Sequence, residues 1–173
     1  MENATRKRLV DIAYKKAQMP FHGYIDGNLS NIQPIIEHFP KWNIKDADKL
    51  WCAAFVYYCC VEAGFEIPYS PNECVTCSLA GCGGWEEFAI KNNQIEYHKK
   101  DTDFSPKPGD IVIYDNLFCN QEHDHIGIIV KVKETTIIVA EGNIPHSNQS
   151  GIIERTMDNH IRAYIRIPDG YRY

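Results

Sequence analysis

Between Trp51 and Val61 the chain reads Trp-Cys-Ala-Ala-Phe-Val-Tyr-Tyr-Cys-Cys-Val, a helix-length run that is apolar on every side. A helix with no polar face must be buried, so a helix over 49–63 is expected to form the spine of the core. Asp46 or Asp48 is the expected N-cap, and Gly64 stands where a C′ residue belongs. The run is about half the length needed to cross a bilayer, so a soluble protein with no membrane partner is expected.

The rest of the chain arranges itself around that spine. Leu9, Ile12, Ala13 and Ala17 recur at three and four residues, which predicts an amphipathic helix that ends before Pro20. Residues 21–48, with Gly23, Gly27, Pro34 and Pro40, read as loop with one helical turn near 35–38. Short helices are expected over 76–79 and 85–91, on either side of Gly81, Gly83 and Gly84. Beyond that point the period changes. The β-branched runs 111–114, 125–132, 135–141 and 161–167 predict an antiparallel sheet, with a tight hairpin at Lys133 and Glu134. Helices first and strands second give an α+β fold, N-terminal helices packed on a C-terminal antiparallel β-sheet. With 173 residues the chain fits one domain, an extension over 1–47 followed by a core over 48–167.

Charge and cysteine usage narrow the function. Eighteen Lys and Arg against 23 Asp and Glu give a net charge of −5, and no basic stripe follows a helix face, which argues against nucleic acid. The first eighteen residues are charged at Arg6, Lys7, Arg8, Lys15 and Lys16 and lack a signal's apolar core, so a cytoplasmic location is expected. Seven cysteines, an odd number with Cys59 and Cys60 adjacent, read as free thiols.

Three positions carry candidate chemistry. Cys52 falls in the first turn of the apolar helix, where free backbone N–H groups and the helix dipole stabilise a thiolate. Cys59 and Cys60 on the same helix read as core. His125 opens a strand and would sit at a sheet edge beside apolar neighbours, placed to serve as a base; a solvated turn histidine is the alternative. Glu141 and Asn143 close the next strand, and the hairpin returns them beside His125, where an acceptor can fix the imidazole tautomer.

These segments resemble the CHAP domains, the cysteine, histidine-dependent amidohydrolases/peptidases of the papain-like superfamily. The likeness is carried by Trp51-Cys-Ala-Ala-Phe-Val56 with Glu62-Ala-Gly64, by Pro108-Gly-Asp-Ile-Val112, by Asp124-His-Ile-Gly-Ile-Ile-Val130, and by Ala140-Glu-Gly-Asn143, in the family's order. The resemblance implies a papain-like fold with Cys52 as nucleophile, His125 as general base, Glu141 orienting the imidazole and Asn143 as an auxiliary polar group. It also implies a peptidoglycan substrate, cut between muramic acid and L-alanine or within a stem or bridge peptide. No cofactor is required by that chemistry. A non-catalytic binding module on the same fold, and a peptidase or amidase acting inside the cell, are the other readings.

Two weaker signals concern metals. Cys74-x-x-Cys77 with Cys82, and Cys119 and His123 beyond, has partial zinc-ligand spacing, and free thiols lining a loop are the plainer reading. The segment 23–28 offers oxygen ligands where some relatives bind calcium but lacks a calcium loop's carboxylate density. Tyr57, Tyr58, Trp85 and Phe88 are expected in the core, while Trp42 and Tyr114 stay open as cleft residues.

Overall fold

The computed structural model describes residues 4–19, 21–23 and 29–173; all but Gly23 of the segment considered for calcium, and the proline expected to stop the first helix, lie outside them. Five helices come first: α1 (Thr5–Gln18), α2 (Gln33–Ile36), α3 (Ile44–Ala47), α4 (Cys52–Ala63) and α5 (Cys82–Lys91). Six strands follow: β1 (Glu96–Lys99), β2 (Ile111–Tyr114), β3 (His125–Val132), β4 (Thr136–Ile144), β5 (Gln149–Thr156) and β6 (Ile161–Arg166). They form one antiparallel sheet in the order β1-β6-β2-β3-β4-β5. The fold is α+β, as the change of period requires.

Every residue of α4 from Cys52 to Cys60 is buried, which is the outcome its composition demands. The helix packs on α1, β3 and β4, and shares one core cluster with Leu9, Ala13 and Ala17 of α1 and with Ile111, Ile113, Ile126, Ile128, Ala140 and Ile165 from the sheet. The alternate sheet residues, Val112, Tyr114, Ile129, Ile137, Val139, Ile161 and Tyr164, make a second apolar cluster. Burial of both faces explains why β2 reads as a continuous apolar run rather than an alternating one.

Several local expectations need correction. The spine helix begins at Cys52, not Lys49, and neither Asp46 nor Asp48 caps it. Lys49 has φ 61, which ends the preceding turn and cannot be helical. Asp46 belongs instead to α3, whose cap is Asn43 Oδ1 accepting from the Asp46 N–H at 3.0 Å. Asp48 accepts a hydrogen bond from Asn148, whose Oδ1 in turn accepts from Trp51 Nε1 at 2.8 Å. The start of α4 is thereby tied to the β4–β5 connection. Residues 76–79 are not helical, because Glu87 occupies their backbone, accepting from the N–H of Val75 at 2.6 Å and of Thr76 at 3.0 Å. The following helix starts earlier than expected, at Cys82.

The strands β1 and β5 were not expected. Both are edges, and an edge strand pairs on one side only and tolerates the polar sequence that hides it from an apolar-pattern search. Gly64 closes α4 at φ 96 as anticipated. The Asp of the Pro-Gly-Asp segment, Asp110, is wholly buried and serves the frame: Arg6 Nη2 reaches it at 2.6 Å, and Arg166 donates to both oxygens at 2.8 and 2.7 Å.

Gly142 marks the tightest contact between α4 and the sheet. A Cβ there would lie 2.5 Å from Phe55 Cβ and 2.9 Å from the Trp51 ring. Gly142→Ala is therefore expected to cost about 1–3 kcal/mol in urea unfolding; a change within experimental error would show that the helix can withdraw from the sheet.

Candidate functional site

The sequence expectation for His125 was right in its position and wrong in its setting. It is the first residue of β3, but β3 lies inside the sheet between β2 and β4, and the imidazole is 1% exposed rather than solvated. Tyr114 stacks beside it with ring centroids 6.3 Å apart, and Phe118 meets it edge-on at 5.1 Å. Tyr114 thus packs under the site, while Trp42 does reach the cleft wall.

Antiparallel pairing of β3 with β4 sets Glu141 opposite Gly127 in the sheet, two residues from His125. The glycine is necessary here. A Cβ on residue 127 would lie 2.4 Å from Val139 and 2.9 Å from Glu141 Cγ, so only hydrogen leaves room for the carboxylate to swing beside the imidazole. His125 Nε2 donates to Glu141 Oε2 at 3.0 Å, since an ionised carboxylate can only accept. That bond commits Nε2, and Cys52, which lines the same cleft as His125, is near enough for each group to shift the other's pKa.

Glu141 is fully buried, and its charge is compensated from a second side. Arg155 on β5 donates Nε to Oε1 at 2.9 Å and Nη2 to Oε2 at 2.6 Å, a bidentate clamp. The Arg155 guanidinium also lies over the rings of Phe118 at 5.1 Å and Tyr114 at 5.9 Å. Burial works to raise the Glu141 pKa, but the charges and hydrogen bonds of His125 and Arg155 win and hold it below the usual carboxylate range.

The same competition sets the other two groups. Burial alone would strip His125 of its proton; the Glu141 charge, the hydrogen bond to Glu141 and the neighbouring Cys52 overcome it and push the imidazole up to about 10. For Cys52 the largest influence is a hydrogen bond from Cys82, whose Sγ lies 3.9 Å away; burial opposes it, and His125 and the Ala53 N–H add to it. The thiol is held well below the ordinary cysteine range. Cys59 and Cys60, on the same helix but far from its N-terminus, are pushed up by burial. Position on one helix thus shifts one sulfur's pKa down and two up.

These groups open onto a cleft of about 860 Å³ whose wall includes Trp42, Leu50, Cys82, Phe118 and His146. Asn143, at φ 49 beyond the strand irregularity after Glu141, also lines the cleft. Among the described residues its side chain makes no hydrogen bond to Cys52, His125 or Glu141. The loop before β3 is shaped by Asp124, which accepts from the N–H groups of Phe118 and Cys119, and by His123, bonded to the buried Glu86. Cys74 donates its thiol to the Gly84 carbonyl, and among the described residues no three His, Cys, Asp or Glu side chains converge as metal ligands.

Sequence reasoning missed Arg155 and Cys82 as site residues. Arg155 is reached only through the β4–β5 register, which pairs Ile137 with it. The pairing of Cys82 with Cys52 is a contact between two helix starts that no spacing encodes.

A thiol at a buried helix start sharing a cleft with an imidazole held by a carboxylate is a papain-like arrangement, on an α+β fold. The model of the CHAP domain matches residues 44–143, more than half of the chain, and this chain belongs to that family, whose members are generally amidase or peptidase hydrolases. A solved structure described as "The crystal structure of Ly7917" has a similar fold, with a TM-score of 0.50 and 12% identity. The match covers 96% of this chain and 63% of that one. No curated protein matches the chain in sequence.

Two outcomes follow from these electrostatics. Removing the clamp with Arg155→Met leaves Glu141 buried with one partner, and should cost about 3 kcal/mol in urea unfolding; a loss under about 0.5 kcal/mol would mean the carboxylate is already solvated. Between its depressed pKa and the loss of the His125 proton near 10, Cys52 should remain a thiolate. Its alkylation by iodoacetamide should then change little with pH around neutrality and up to about 9, while a model thiol speeds up about tenfold per unit below its own pKa. A rate that follows the model thiol would sink the ion pair.

Proposed function

We propose that the protein is a cysteine-dependent amide hydrolase acting on peptidoglycan, with Cys52 as nucleophile and His125 as its acid and base. The observation that carries this reading is the His125–Glu141 hydrogen bond at 3.0 Å, with Cys52 and His125 both on the wall of one cleft. In this reading the Cys52 thiolate attacks the amide carbonyl carbon, and the tetrahedral oxyanion collapses as the His125 imidazolium gives its proton to the leaving amine. Neutral His125 then takes a proton from water, which attacks the thioester and releases the acid and the Cys52 thiolate. Both steps pass through an oxyanion, and the Cys52 N–H, unpaired by the geometry of a helix start, is placed to donate to it.

Glu141 does not take the proton; it keeps the imidazole oriented and stabilises its charge, and Arg155 keeps Glu141 ionised. Asn143 on the cleft wall acts as a polar contact for substrate. Nucleophile, base and one oxyanion donor all come from this chain, so the reaction as drawn calls for no metal. The wall as substrate rests on family membership: the bond cut joins muramic acid to L-alanine or lies within a stem or bridge peptide, and the enzyme, made in the cytoplasm, meets it after release.

Purified wall material separates this reading from its rivals. Wild-type protein should clear it in a zymogram, Cys52→Ala should not, and Glu141→Gln should be slower by on the order of 10²–10⁴. Equal clearing by wild type and Cys52→Ala would rule out the nucleophile. Cleavage of casein without cleavage of defined muropeptides would move the substrate away from the wall.

A further inference from the structure

The mechanism above uses one sulfur, yet the cleft holds two in contact. Cys52 opens α4 and Cys82 opens α5, and the two helix starts converge so that the sulfurs lie 3.9 Å apart. The approach depends on the loop before α5 folding tightly under it: a Cβ on Gly84 would lie 2.2 Å from the Ser78 carbonyl oxygen, so the first turn of α5 sits directly on that loop. Both sulfurs line the open cleft. A disulfide needs about 2.05 Å between sulfurs, a closure of about 2 Å that side-chain rotation at two helix starts can supply.

We infer that Cys52 and Cys82 form a dithiol modification site for hydroperoxides, a reading that rests on Cys52 being the activated nucleophile. In the first step the Cys52 thiolate attacks the terminal oxygen of the hydroperoxide, the O–O bond breaks, and the leaving alkoxide or hydroxide takes a proton and departs as alcohol or water. Cys52 becomes a sulfenic acid. In the second, the Cys82 sulfur attacks that of Cys52, the S–O bond breaks, the hydroxyl leaves as water with the Cys82 proton, and the disulfide forms. Two electrons pass from the sulfurs to the peroxide. The cross-link removes the nucleophile, and a thiol reductant returns it by exchange.

The pair is selected by place as well as by distance. Cys59 and Cys60 are fully buried in the core, and Cys74 is turned to the Gly84 carbonyl with its thiol pushed up to about 12. Cys77 and Cys119 are exposed on the cleft wall and are the competing partners. When Cys52 is ionised, the Cys82 thiol is its hydrogen-bond donor, so the resolving sulfur already points at the attacked one.

The whole protein, reduced and then treated with one equivalent of hydrogen peroxide without substrate, is the test. Intact mass should fall by two hydrogens, and peptide mapping should link Cys52 to Cys82. Iodoacetamide reactivity of Cys52 should fall at least tenfold and return with dithiothreitol. In Cys82→Ser the mass should instead rise by one or more oxygens. A disulfide from Cys52 to Cys77 or Cys119, or oxygen addition at Cys52 of the wild type with no cross-link, would overturn the inference, and the wild-type map decides this even if the variant does not fold. Because the readout is the protein's own mass, a negative map beside a clearing zymogram defeats this inference alone, and a positive map beside an inert zymogram leaves it standing while the hydrolase fails.

Discussion

A carboxylate with no access to water is the constraint around which the cleft is built. Glu141 can stay ionised only because a guanidinium and an imidazolium share it, and an unpaired charge at that depth would cost several kcal/mol. Its partners come from β3 and β5, on either side of the strand that carries it. Three neighbouring strands must therefore keep their register for the charge to be tolerated. A slip of one residue would send Glu141 to the other face of the sheet and leave all three groups unpaired.

Among the described residues two other carboxylates are buried in the same manner, and the comparison shows what sets Glu141 apart. Asp110 is held by Arg6 and Arg166, joining α1 to the far side of the sheet. Glu86 is held by Arg162, Tyr97 and His123, with hydrogen bonds that outweigh burial and bring its pKa to about 2. Both are closed structural clamps. Glu86 also has a histidine partner, His123; what sets Glu141 apart is that its histidine, His125, and Cys52 shift each other's pKa. The Glu86 clamp still serves the site, because His123 anchors the loop that delivers the chain into β3 at His125.

The spine helix contributes in two ways that come from its ends rather than its middle. Its apolar length buries the core, and its N-terminus supplies unpaired N–H groups beside Cys52. The hydrogen bonds that fix this terminus join Asp48 and Trp51 to Asn148, far along the chain. A helix that had begun at Lys49 would have placed Cys52 in its second turn, away from the strongest part of the field. The left-handed residue at 49 thus determines where the sulfur meets the helix dipole.

Local sequence was enough to specify the buried helix, four of the strands and the hairpin between β3 and β4, because each is a matter of period and turn chemistry within a few residues. From those Cys52, His125 and Glu141 could be named as candidates, since a thiol at a helix start and two groups on a hairpin need little more than adjacency. Tertiary structure decided the rest: the edge strands, whose polar sequences carry no apolar period; Arg155, whose role exists only through the β4–β5 register; and Cys82, brought to Cys52 by two helices meeting end to end. It also decided the ionisation of the site, because a pKa depends on burial and on charges gathered from distant segments, and neither quantity is written in any one stretch of the chain.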